Sequence, residues 1–203
     1  NFVTKPADRT AVNLTGALGQ YGYMNSSLTL NLAAPNFQNL LHYYTNFSDG
    51  YMKNTDFFRQ GMFYQNVTQI NHDQLHLQVG YSSRAFGANS YYTPRFPDQF
   101  EQNDLMLVSL SYRTSNRVRV LPKVYWRRHR DRWEMFRQDK DWYREENGRS
   151  VSNDTNTTTF HEGPVYTNHH INDSYGAQLN LNMSSARGVT SIGWHLRSEN
   201  IIS

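Results

Sequence analysis

The chain contains no cysteine, so no disulfide can staple it. No apolar run approaches the roughly 20 residues that a membrane helix needs, and no charged-then-apolar leader opens the sequence. Helical periodicity is almost missing. Charged residues make up only 18% of the chain, and the net charge of +3 is too small to demand a polyanionic partner. No Gly-x-Ser-x-Gly elbow, P-loop, dinucleotide fingerprint or His-Glu-x-x-His pair occurs, so the sequence argues against an enzyme and calls for no cofactor.

What is present is a polar chain rich in rings. Mean hydropathy is -0.77, yet aromatic residues reach 14%, with 14 tyrosines. Asn, Gln, Ser and Thr supply the polarity. That combination is not the signature of a disordered chain, which pairs few aromatics with high net charge. It suits strands with one apolar and one neutral, hydrophilic face, and 203 residues are enough for one large sheet.

Period-2 alternation marks about nine strands. They are Thr10–Leu18, Tyr23–Leu32, Phe37–Phe47, Phe57–Ile70, Gln74–Ser83, Asp104–Arg113, Arg117–Trp126, Ser174–Met183 and Val189–Ser198. In the fifth, the run from His72 to Ser83, His72, Gln74, His76 and Gln78 alternate with Leu75, Leu77, Val79 and Tyr81. In the seventh, Pro122 removes a ladder donor and so weakens a central strand. Aromatics top the apolar faces at Tyr81, Tyr112, Trp126 and Trp194, as in interfacial girdles or, equally, in an ordinary packed sheet.

The connections alternate in length. Ala33–Asn36, Asn71–Asp73, Thr114–Arg117 and Ser185–Gly188 are tight turns, whereas Ser48–Asp56, Arg84–Asn103 and Arg127–Asp173 are long. A transmembrane β-barrel keeps this alternation because its two rims face different compartments. On that reading Leu75, Leu77, Val79 and Tyr81 face lipid, and His72, Gln74, His76 and Gln78 face a lumen. In a sandwich the same apolar face would meet a second sheet.

The opening "NFVTKPADRTAVNLTGALGQYGYMNSSLTLNLA", "SDGYMKNTDF", "LQVGYSSRAFGANSYYTPRFPDQFE" and "RSENIIS" resemble segments of TonB-dependent outer-membrane receptors, in the cobalamin- and siderophore-receptor-like group of Bacteroidetes type. The resemblance implies an antiparallel up-and-down transmembrane barrel of 22 strands, of which this chain would be the first nine or so. Residues 1–8 would end the plug and residues 9–203 would form part of the barrel wall. The plug, its contact with TonB and the last strands would lie outside the chain. The implied activity is active uptake of a scarce small nutrient, such as cobalamin or a ferric siderophore, across the bacterial outer membrane.

Several clusters invite site readings. Tyr91, Tyr92, Arg95, Phe96 and Phe100 lie in one long loop and could grip a bulky ligand by stacking and cation–π contacts, or simply pack on one another. Arg127, Arg128, Arg130 and Arg132 open the most charged stretch. They could meet lipopolysaccharide phosphates or another anion, or form cross-strand ion pairs in a solvated extension. Interleaved acidic residues argue against nucleic acid. His72 and His76 are too far apart on one strand, about 13 Å at ~3.3 Å per residue, to hold one metal ion. Asp49, Asp56, Asp98 and Glu101 match no calcium-loop signature. Two other classes fit the same strands: a soluble or surface-attached β-sandwich that binds carbohydrate, and a small complete outer-membrane barrel with adhesive loops.

Overall fold

The computed structural model describes residues 9–94, 97–135, 137, 143–147, 149–152, 160–162, 167–186 and 188–202. These are all-β, with no helix among them. The strands are β1 (Ala11–Leu18), β2 (Met24–Ala34), β3 (Phe37–Ser48), β4 (Phe57–Ile70), β5 (Asp73–Gly87), β6 (Phe100–Arg113), β7 (Val118–Glu134), β8 (Tyr143–Glu146), β9 (Arg149–Ser152), β10 (Phe160–Glu162), β11 (Thr167–Ser185) and β12 (Gly188–Ile202). Nine of them form one open antiparallel sheet, ordered β1-β2-β3-β4-β5-β6-β7-β11-β12. Apart from the detour between β7 and β11, each strand pairs with its successor, the up-and-down topology read from the sequence. The small strands β8, β9 and β10 form a separate three-stranded sheet within that detour.

The strands run further than the alternation suggested. β6 begins at Phe100, β7 continues to Glu134 and β11 starts at Thr167. The long connections are shortened accordingly, and Arg127, Arg128, Arg130 and Arg132 belong to β7 rather than to a loop. His72 lies in the tight turn that the sequence suggested, not on the strand face with Gln74, His76 and Gln78. It sits with Asn71 in the turn before β5, and Asn71 takes the left-handed φ of 56° that a tight hairpin turn requires. Pro122 is accommodated because the register between β6 and β7 ends at Ser111–Lys123, beside it.

Cross-strand partners share a face, so the registers trace continuous rows across the sheet. One row runs Leu14, Leu28, Tyr43, Met62, Tyr81, Met106, Arg128, Asp173, Asn200. A second, nearer the short turns, runs Leu32, Asn39, Asn66, Leu77, Leu110, Val124, Ala177, Leu196. The first is apolar from β1 to β6 and polar beyond. The second is polar at β3 and β4 and apolar from β5 onward. The apolar band therefore crosses the hydrogen-bonding direction diagonally.

Strands tilted about 45° to a flat slab would do this. With neighbours ~4.8 Å apart and ~3.3 Å per residue, a level line climbs about 1.5 residues per strand.

Among the described residues this band has no second layer over it. Among the described residues every packed pair of strands is a sheet neighbour, and the only buried hydrophobic side chains are Val67, Ala88 and Phe100. Leu14, Val124, Trp194 and Leu196 are all exposed. β1 and β12 each have one neighbour, and all of β12 is exposed.

The other face is locked by rings over glycines. A Cβ on Gly176 would lie 2.1 Å from the ring of Tyr125, and one on Gly61 would lie 2.5 Å from the ring of Tyr44. Each glycine sits directly opposite its tyrosine. The ring lies flat on the neighbouring backbone, a place only a residue without a side chain leaves open.

Candidate functional site at the long-loop end

The apolar band is edged by aromatics whose polar atoms reach outward from it. Toward the short turns, the Tyr64 hydroxyl donates to Asn39 Oδ1 at 2.8 Å, and Asn66 Nδ2 donates to the same oxygen at 2.8 Å. The Tyr112 hydroxyl donates to Asp73 at 2.6 Å, and the Ser115 backbone N–H donates to the other carboxylate oxygen at 2.9 Å. These bonds, that from Tyr112 foremost, hold the Asp73 carboxyl below its ordinary pKa. Toward the long loops, Trp126 Nε1 donates to Asp173 at 3.1 Å. Arg128 grips both oxygens of that carboxylate at 2.8 Å and lies 5.6 Å over the Trp126 ring. The Arg128 guanidinium holds Asp173 below the usual carboxylate range.

Beyond that edge the loops form one knot. Its hub is Asn54, only 3% exposed, in the left-handed region at φ 56°. Asn54 Nδ2 donates to the carbonyls of Gln99 at 2.7 Å and Pro97 at 2.9 Å. Arg137 donates to Asn54 Oδ1 at 3.3 Å and to both oxygens of Asp56 at 2.6 and 2.9 Å. Its guanidinium lies 4.7 Å over the Phe100 ring. Lys53 pairs with the buried Asp98 at 3.2 Å. The connection over β3–β4, the connection over β5–β6 and Arg137 are thus tied together by hydrogen bonds to charged and amide groups rather than by an apolar core.

The site residues expected from the sequence divide within this frame. Tyr91 and Tyr92 are 72% and 57% exposed, stacked edge to face with ring centres 4.9 Å apart, and are available to a ligand. The Tyr92 hydroxyl donates to Glu101, and that bond pushes its pKa up to about 12. Phe100 is corrected from ligand contact to packing. At 5% exposure its ring is covered by Arg137 and, at 5.6 Å, by Arg132. Arg95 and Phe96 lie outside the described residues.

Of the arginines, Arg128, Arg130 and Arg132 share the outward face of β7, and Arg127 faces the polar side with Ser174 and Leu107. Arg132 pairs with the buried Glu134. Gln74, His76 and Gln78 line the polar face, linked by bonds from Gln74 to Gln69, between His76 and Gln74, and from Ser109 to Gln78. His72 and Gln74 join Arg113 and Arg119 around a cavity of about 240 Å³ at the short-turn end. Among the described residues no three His, Asp or Glu side chains converge as a metal site. Asp56, Asp98 and Glu101 each have a protein partner instead.

Sequence reasoning missed Asn54, because a lone asparagine in a loop carries no signal of the carbonyls it will meet. The motif "KNTD" with its Asn in a turn was the one available hint. Compared with protein-family models, curated proteins and solved structures, the chain finds no match.

Proposed function

We propose that this chain is part of the wall of a TonB-dependent transporter in the bacterial outer membrane, with the polar face lining the passage and the long loops capturing a scarce small nutrient. The observation that carries the membrane part of this reading is the apolar band: it is uncovered, and it crosses the hydrogen-bonding rows diagonally. A sandwich sheet would bury such a face against a second layer. A tilted barrel strand presents it to a level slab of lipid, with amphipathic rings at both borders. The alternation of tight turns and long connections supports the same orientation, with the long-loop end outside the cell.

The exposed backbones of β1 and β12 fit a sheet that continues on both sides, since an open edge is costly in lipid. The transporter class and the nutrient rest on the sequence resemblance alone. On this reading the partners are outer-membrane lipid and lipopolysaccharide, a plug, TonB and the nutrient.

The test is fractionation of the source cells, with the protein detected by an antibody against residues 127–149. A band in the outer membrane that migrates faster unboiled than boiled supports the proposal. A band in the soluble fraction that ignores boiling overturns it and favours a carbohydrate-binding sandwich.

A further inference from the structure

β4 and β5 place Arg59 directly opposite Arg84. Both project from the polar face at its long-loop end, on the row Asn25, Asn46, Arg59, Arg84, Asn103, Asp131. Like charges directly opposite one another on a sheet are unfavourable, so the nearby carboxylates and amides decide whether the pair is neutralised from within. Each carboxylate has a different partner. Asp56 is held by both arms of Arg137, Glu101 takes the hydroxyl of Tyr92, and Asn103 meets His129 at 3.2 Å. Asp131 lies 3.1 Å from His170. Asn46, the partner of Arg59 on β3, has a buried Oδ1 with no hydrogen bond, so Arg59 does not turn back onto it. Among the described residues neither Arg59 nor Arg84 forms an ion pair.

The two guanidinium groups line a cavity of about 400 Å³ together with Thr55, Asp56, Phe57 and Phe86. Phe57 and Phe86 are themselves cross-strand partners on the same face, one step nearer the loops. Two forked cationic donors beneath two half-buried rings form a site with a defined chemistry. Planar guanidinium groups take a carboxylate or phosphate oxygen pair, and the rings and guanidinium planes take a flat unsaturated group. The volume suits a small molecule.

We infer that Arg59, Arg84, Phe57 and Phe86 form a binding pocket for a small anion carried on a flat ring, of the aromatic carboxylate class. The pocket follows from cross-strand register, and its ligand chemistry does not depend on the sheet lying in a membrane.

The probe is 2-naphthoate, titrated calorimetrically into the purified protein, in non-ionic detergent where solubility requires it, against a micelle blank. The neutral 2-naphthalenemethanol and inorganic phosphate serve as half-probes. The expected result is saturable binding of naphthoate about tenfold or more tighter than either half-probe, weakened about tenfold or more by Arg59→Gln or Arg84→Gln. Phe86→Ala brings naphthoate down to the affinity of phosphate. Arg119→Gln, at the far end of the sheet, leaves binding unchanged.

Melting temperatures separate binding from folding. Removing one of two opposed charges leaves the unliganded protein as stable or more stable. Failure of naphthoate to saturate, binding indifferent to both arginine substitutions, or a lowered melting temperature in both variants would each overturn the inference.

Discussion

Within the apolar band β5 sorts its side chains by face: Leu75, Leu77 and Val79 alternate with Gln74, His76 and Gln78. Nearer the long loops the same strands lose that contrast. β7 beyond Trp126 presents Arg128, Arg130 and Arg132 on one face and Arg127, His129 and Asp131 on the other. There Arg128 joins β7 to Asp173 on β11, Arg132 pairs with Glu134 two residues along the same strand, and Arg137 ties the connections through Asp56. On the proposed reading, one continuous ladder would pass through two solvents. Where one face is apolar, side chains sort by face and aromatics mark the border, as they would against hydrocarbon. Where both faces are polar, sorting stops, and bonds such as Arg128 to Asp173 and Asn103 to His129 link neighbouring strands instead.

Charge placement should break the contrast most sharply. Val79→Arg, in the middle of the band, is expected to cost about 2–4 kcal/mol of folding stability in lipid, whereas Gln78→Arg, one residue away on the polar face, costs little. Urea titration of both variants in vesicles checks this, and equal effects would count against a lipid-facing band. The ring-over-glycine lock should be next. Gly176→Ala drives a methyl into the Tyr125 ring and is expected to cost about 1–3 kcal/mol, and the double variant with Tyr125→Ala should recover part of the loss.

In the loop knot, Asn54→Ala removes two donors to buried carbonyls and a residue type at ease in the left-handed region. About 1–3 kcal/mol is expected. The loss should show as faster proteolysis of the loops while the heat-resistant band survives. Survival of the loops would mean that the Arg137–Asp56 and Lys53–Asp98 pairs hold the knot without Asn54.

The smallest effects are in the titrations. Asp173 has a lowered folded pKa, so its contribution is present above the unfolded value of about 4 and is lost as pH falls through the lower folded value. The packing of Trp126 against Arg128 should therefore persist at mildly acid pH, with its fluorescence changing only at more acid pH, and Arg128→Gln should move that change upward. Tyr92, raised to about 12, acts in the opposite sense. Its contribution is complete below the unfolded value near 10 and is lost as pH rises toward the folded one. The difference in ultraviolet titration between the wild type and Tyr92→Phe should place it there, and Glu101→Gln should return it toward 10.

How much of this was legible in the sequence follows from the same sorting by face. β3 and β4 start and stop almost where the sequence suggested, although they alternate less cleanly than their neighbours, because the tight turns and loop residues on either side bound them. The extensions of β6, β7 and β11 were not legible, because a strand polar on both faces has no period-2 signal to read. Register was nearly within reach. A two-residue turn at Asn71–His72 fixes every partner across the β4–β5 hairpin, including Arg59 with Arg84. Reading that turn as Asn71–Asp73 slips the pairing by one and separates the two arginines, since a one-residue shift moves every side chain to the other face. The Asn54 knot depends on carbonyls from a connection more than 40 residues away, and no local pattern encodes it.

The central claim is the diagonal band, and spin labels test it most directly. Cysteines carrying a nitroxide would be placed one at a time at Tyr81, Met106, Arg128 and Asp173 along one hydrogen-bonding row, and at Asn66, Leu77, Val124 and Leu196 along the other. Collision with oxygen, which concentrates in lipid, and with a water-soluble nickel complex would then be compared in vesicles. The account predicts oxygen-dominated relaxation at Tyr81, Met106, Leu77, Val124 and Leu196, and nickel-dominated relaxation at Arg128, Asp173 and Asn66. Uniform behaviour along each row, or nickel access at all eight positions, would contradict it.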